Sequence, residues 1–119
     1  MKKFLQSFVY AFQGVKTAFA REQNMKIHVL ATILIIGAGF LFCISTIEWI
    51  IIILCISSVI ALEIMNTAIE ATVDLISPEK HPLAKIAKDC AAGAVLVMSI
   101  ASVVIAVFIF FDDIKMLLA

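Results

Sequence analysis

Two stretches of this chain carry no charged side chain over a length that reaches across a bilayer. They are residues 29–47, nineteen long, and residues 90–111, twenty-two long. About 20 helical residues cross a hydrocarbon core roughly 30 Å thick. A third apolar run starts at Trp49 and continues through Leu62. Composition sharpens the point. Of the 119 residues, 64% are hydrophobic and 15% are charged, against about 45–50% and 25% in soluble domains. A soluble domain of this length buries only about two-thirds of its unfolded surface, too little to hide so much apolar side chain. These numbers exclude a soluble globular enzyme, and disorder requires the opposite composition. The expectation is an all-α integral membrane protein in one domain, residues 1–119.

Residues 1–21 differ from the rest. Phe4, Phe8, Phe12, Val15 and Phe19 fall on one helical stripe, and Lys2, Lys3, Gln6, Gln13 and Lys16 lie away from it. This pattern predicts an amphipathic helix in the membrane interface, or one packed on other protein. The first membrane helix is predicted over 29–47, with Glu48-Trp49 as a very short turn. The second runs over 49–76. Ser77-Pro78 should stop it, because proline disfavours helix in the residue before it. Residues 77–89 form a polar segment in which Pro82 can open the third helix, predicted over 90–111. Lys2, Lys3, Lys16, Arg21 and Lys26 precede the first span, and Lys80, Lys85 and Lys88 lie between the second and third. The turn between the first two spans has no basic residue, and the C-terminal tail has only Lys115. By the positive-inside rule, the N-terminus and the 77–89 loop are cytoplasmic and the C-terminus is external.

Chemistry is concentrated on the second membrane helix. Glu63, Asn66, Glu70 and Asp74 sit at offsets that place them within a face about 80° wide, with Thr67 beside them. Glu63 lies about 21 Å along the helix from Trp49, still inside the membrane. Ionisable groups at such depth are costly and usually functional. Topology brings Glu22, before the first span, and Lys88 and Asp89, before the third, to the same level. Carboxylates with water and phosphate oxygens are how Mg²⁺ is usually held, and lysine pairs with phosphate. The ensemble therefore reads as a magnesium–nucleotide site. The residues alone equally allow a ligand-free network of interhelical ion pairs, or an ion or proton pathway.

Other motifs are absent. No GxxxxGK[ST] loop and no basic run suited to nucleic acid occurs. Gly37-Ala38-Gly39 and Gly93 fit helix packing by small residues. His28 and His81 are single, without metal spacing. Cys43, Cys55 and Cys90 match no metal signature, and their apolar surroundings suggest buried, reduced thiols.

Residues 63–74 read EIMNTAIEATVD. This resembles the signature E-x-x-N-[ST]-[SA]-x-E-x-x-V-D of the prokaryotic diacylglycerol kinase family. Glu22, the three spans, the Glu79-Lys80-His81 segment and Ala87-Lys88-Asp89 are similar over nearly the whole length. The run FQGVKTAFAREQNMKIH at 12–28 resembles the Gram-positive branch, whose members look like undecaprenol kinases.

The resemblance implies ATP- and magnesium-dependent phosphorylation of a lipid alcohol at the inner face of a bacterial cell membrane. The implied acceptor is undecaprenol, or alternatively diacylglycerol. Glu63 matches the proposed general base. Glu22 and Glu70 match the carboxylates that hold magnesium on the ATP phosphates. Asn66 and Asp74 match site-ordering positions. Lys88 and Asp89 match nucleotide-contacting positions, and Glu79, His81 and Tyr10 match positions near the nucleotide. Lys3 stands where relatives often carry arginine, which leaves a point charge in place of a bidentate fork. The family also implies a homotrimer with active sites shared between protomers. A non-enzymatic membrane subunit or a small channel is the competing reading from the residues. The apolar half of the second helix, which offers only Cys55, Ser57 and Ser58, argues against a channel.

Overall fold

The computed structural model describes residues 1–119 as four helices. They are α1 (Lys2–Arg21), α2 (Gln23–Leu41), α3 (Thr46–Ile76) and α4 (Pro82–Leu118). The last three are long and apolar enough to cross a membrane. The molecule is a slab with extents of 55 × 43 × 20 Å. Helices α3 and α4 form a tightly packed hairpin, which α1 and α2 touch more sparsely. Only 12 of the 119 residues are buried. Large apolar side chains such as Leu30, Leu34, Ile53, Leu96, Val103 and Phe108 face outward. In water such a surface would drive aggregation; in a bilayer it meets lipid or another copy.

The helix ends explain where the structure departs from the predicted boundaries. The turn between α2 and α3 lies at residues 42–45, ahead of the Glu48-Trp49 turn expected from charge. Cys43 takes a left-handed backbone, φ 51°. Ser45 then caps α3. Its hydroxyl accepts from the Glu48 N–H, and the Glu48 carboxylate accepts from the Ser45 N–H. Glu48 and Trp49 thus belong to the first helical turn, because this reciprocal capping satisfies two otherwise orphaned donors. An uncharged run locates the membrane, whereas capping locates the helix end.

The third span shows the same distinction. The predicted 90–111 segment sits inside the longer α4. Pro82 starts that helix at its first turn, and His81 Nδ1 caps it by accepting from the Leu83 N–H. At its other end Lys115 lies in the last turn, where a cation complements the helix dipole.

The turn end of the bundle is held by apolar packing. Trp49 lies against Phe40, with ring centroids 4.9 Å apart. A Cβ on Gly39 would come within 2.6 Å of the Trp49 ring, so glycine allows that approach. Gly37 and Gly93, expected to serve packing too, have open space around them within the chain. Phe42 reaches Phe110 on α4 at 6.0 Å. Of the three free thiols, Cys55 is buried as expected, but Cys43 and Cys90 are exposed. Apolar neighbours in sequence do not bury a residue that points away from the rest of the chain. Several hydroxyls within the spans bond to their own helix, as Thr32 does to the His28 carbonyl and Ser102 to the Met98 carbonyl, although Ser99 Oγ is buried without a partner. Such a bond satisfies a hydroxyl where no water is at hand.

Candidate functional site

Arg21 ends α1 and Gln23 begins α2, so the chain turns on one residue, Glu22, with extended backbone (φ −91°, ψ 115°). Its side chain caps neither helix. Instead Glu22 Oε1 accepts a 2.9 Å hydrogen bond from the Thr67 hydroxyl on α3. Thr67 shares that proton with the Glu63 carbonyl at 3.2 Å. This contact between residues 45 apart in sequence draws the α1–α2 junction onto the polar face of α3. Met25 and Ala18 beside the junction are fully buried and lock its position.

The α3 face presents Glu63, Asn66, Thr67, Glu70 and Asp74 in sequence. Glu63, Asn66 and Thr67 are the buried polar residues of the chain. Asn66 Nδ2 donates to Glu70 Oε1 at 3.1 Å, which leaves Asn66 Oδ1 buried and without a partner. The Glu70 carboxyl group is an electrostatic neighbour of Glu22, which faces α3 from the α1–α2 junction. Glu63, 1% exposed, faces His28 on α2 across 3.6 Å. Nearer the helix end, Asp74 pairs with Lys88 of α4 at 2.6 Å. The Glu63 and Asp74 contacts join α3 to α2 and to α4, whereas the Asn66–Glu70 bond lies within α3.

The remaining expected residues are placed differently. Asp89 pairs with Lys85 on the exposed face of α4; the hydrogen bond holds the Lys85 ammonium in its charged form. His81 caps α4 rather than pointing to the carboxylates. Glu79 is exposed in the α3–α4 loop, where its carbonyl accepts from the Ser77 hydroxyl. Lys3 and Tyr10 are exposed on α1. They stand about 28 and 18 Å along the helix from Glu22. The structure therefore brings together Glu22, Glu63, Asn66, Glu70, Asp74 and Lys88. It leaves Lys3, Tyr10, Glu79, His81 and Asp89 apart from them within one chain.

Sequence reasoning missed His28. The available signal was an ionisable side chain at the edge of an uncharged span, a placement that is functional by default. A cavity of about 650 Å³ opens between α2, α3 and α4, with His28, Cys55, Val59, Ser99 and Phe110 among its lining residues. The lining is almost wholly apolar apart from His28 and a few hydroxyls.

No three His, Cys, Asp or Glu side chains converge as a self-sufficient metal cage. The Glu22–Glu70 pair offers only hard oxygen donors. Mg²⁺ is commonly held by one or two protein carboxylates, with substrate phosphates and waters completing its shell. The donor set fits that ion in the company of a phosphate-bearing ligand.

Comparison with known proteins places the chain. Residues 9–110 match the family model described as prokaryotic diacylglycerol kinase. The chain is 46% identical over 110 residues to the undecaprenol kinase of Bacillus subtilis (strain 168), covering 92% of this chain and 89% of that relative. It is 45% identical over 102 residues to a diacylglycerol kinase of Synechocystis sp., covering 85% of this chain and 58% of that longer protein. It is 29% identical over 102 residues to the diacylglycerol kinase of Escherichia coli (strain K12), covering 86% of this chain and 84% of the relative. The matched region contains all four helices in whole or large part, including the α1–α2 junction and the polar face of α3, and on this ground the chain belongs to the prokaryotic diacylglycerol kinase family.

Proposed function

We propose that this chain, as one membrane-embedded domain over residues 1–119, transfers the γ-phosphoryl group of ATP to the hydroxyl of a membrane lipid alcohol, and that undecaprenol is the acceptor. The observation that carries the reading is the convergence of Glu22, Glu63 and Glu70 at one end of an otherwise apolar bundle. There an aqueous nucleotide and a lipid hydroxyl can meet. The 46% identity to the Bacillus subtilis undecaprenol kinase favours that acceptor. The diacylglycerol kinase of Synechocystis sp., at 45% identity over a shorter stretch, keeps diacylglycerol as the second reading.

Phosphoryl transfer is mainly positioning and neutralisation of charge. Glu63, the deeper carboxylate, accepts the proton of the lipid hydroxyl. The hydroxyl oxygen then bonds to the γ-phosphorus, and the bond to the ADP oxygen breaks. Glu22 and Glu70 would hold Mg²⁺, which when bound offsets charge on the phosphates. Asn66 fixes Glu70 by its hydrogen bond, and Thr67 fixes Glu22. Lys88, paired with Asp74, would supply its ammonium to the phosphates. Asp89, Glu79 and His81, set apart from the carboxylates in this chain, would meet only the part of the nucleotide that extends beyond its phosphates toward the α3–α4 loop.

The lysine and arginine bias puts the Glu22 end at the cytoplasmic surface of a bacterial cell membrane and the C-terminus outside. The amphipathic α1 lies in the interface. A homotrimer would cover much of the exposed apolar surface. It would also let Lys3 and Tyr10, remote from Glu22 in their own chain, serve a neighbouring protomer's site.

The test is a micelle phosphorylation assay with magnesium–ATP. Undecaprenol and a diacylglycerol are offered separately and then in competition. A higher kcat/KM for undecaprenol is expected. Preference for diacylglycerol would move the enzyme to phospholipid turnover. Phosphorylation of neither lipid by folded protein would defeat the kinase reading.

A further inference from the structure

The polar face of α3 holds one buried carboxylate that no α3 residue supports. Asn66 serves Glu70, Thr67 serves Glu22 and Lys88 serves Asp74. Glu63 has none of these. Its Oε1 is buried without a hydrogen-bond partner, and its Oε2 faces His28 Nε2 at 3.6 Å. His28 Nε2 is likewise buried and unpartnered. At this separation the two groups face each other just beyond hydrogen-bonding distance. Contacts of this kind often tighten only when substrate is bound.

Two facing orphans in a low-dielectric site are costly to keep. Packing alone would be served better by an apolar pair. The Thr32 hydroxyl donates to the His28 backbone carbonyl and so does not partner the ring. The imidazole is only 17% exposed and also lines the apolar cavity between α2, α3 and α4. It therefore stands where apolar volume meets the carboxylate.

We propose that His28 is a positioning residue for the phosphoryl-transfer reaction: its Nε2–H donates to Glu63 Oε2 and directs Glu63 Oε1 at the hydroxyl of the lipid alcohol. This rests on the reading of Glu63 as the base. With Oε2 engaged, the carboxylate has one orientation instead of several. The free lone pairs of Oε1 then face the incoming proton. No covalent bond to His28 forms, and the proton leaves the hydroxyl for Glu63 itself. A misplacement of about 1 Å at such a group costs on the order of 10²-fold in rate.

The test uses the full chain in micelles with magnesium–ATP and undecaprenol. His28→Phe fills the ring volume without a donor. His28→Gln places an amide N–H near the Nε2 position. Thermal melting of each variant checks that it is folded. His28→Phe is expected to lower kcat on the order of 10²-fold, with KM for magnesium–ATP and for the lipid within about twofold. His28→Gln is expected to recover at least about a tenth of the wild-type kcat. An unchanged kcat in His28→Phe would overturn the proposal. So would equal losses in the two variants, or a loss confined to KM. If His28→Phe does not fold, His28→Ala replaces it in the same comparison. Glu63→Gln separates this inference from the one beneath it. If Glu63→Gln turns over normally, the base assignment is wrong. If Glu63→Gln is inactive and His28→Phe is fully active, only the role of His28 is wrong.

Discussion

Helix α3 is one continuous 31-residue rod whose two ends are stabilised in opposite ways. From Thr46 to Val59 it is held by shape. Ser45 caps it, Trp49 packs on Gly39 and Phe40, and Ile52, Cys55 and Val59 are buried among apolar neighbours. From Glu63 to Asp74 it is held by long-range polar contacts to Glu22, His28 and Lys88. The first half has few loose ends. The second half retains orphaned atoms on Glu63 and Asn66. A buried unsatisfied polar group costs about 1–3 kcal/mol. A chain that needed only a stable bundle would have continued the apolar packing. Retaining that cost in one half alone supports the proposed role of that half in phosphoryl transfer.

This contrast can be broken from either end. The largest expected effect is at Glu63. Glu63→Gln is nearly isosteric and should leave melting in micelles almost unchanged. Turnover should fall by about 10²–10⁴-fold, the usual worth of a general base. Near-normal turnover would remove Glu63 from the chemistry. Next come Glu22→Ala and Glu70→Ala. Each should raise the magnesium concentration needed for half-maximal rate by roughly 10–100-fold, by analogy with the loss of groups that hold or orient a metal. Magnesium titration at fixed ATP reads this, and an unchanged midpoint would exclude the pair as ligands.

At the other end the effects should appear in stability and not in chemistry. Gly39→Val drives a branched side chain into the Trp49 ring. Overpacking of this kind costs about 1–3 kcal/mol. The melting temperature should drop while KM for magnesium–ATP holds. Ser45→Ala removes half of the capping box and should cost about 1 kcal/mol. That is the smallest effect, read in the same melting experiment. If either substitution shifted the magnesium midpoint as strongly as Glu70→Ala does, the two halves of α3 would not be separable.

The sequence by itself determined the class of this protein and the face of α3 on which its polar side chains gather. Uncharged runs at 29–47 and 90–111 admit little except membrane helices, because bilayer thickness sets their length. The helical period put Glu63, Asn66, Thr67, Glu70 and Asp74 on one face, since 3.6 residues per turn fixes that geometry locally. Only the tertiary structure decided what each of them meets. The Glu22–Thr67 bond depends on a one-residue break between α1 and α2, and no spacing rule in the chain announces it. The capping by His81 is a local contact with Leu83, two residues on, whereas the pairing of Lys88 with Asp74 depends on how α4 is docked against α3. His28 was passed over for the same reason. A lone histidine at the edge of a span has no pattern to share, and its meaning comes from the carboxylate that folding brings to 3.6 Å.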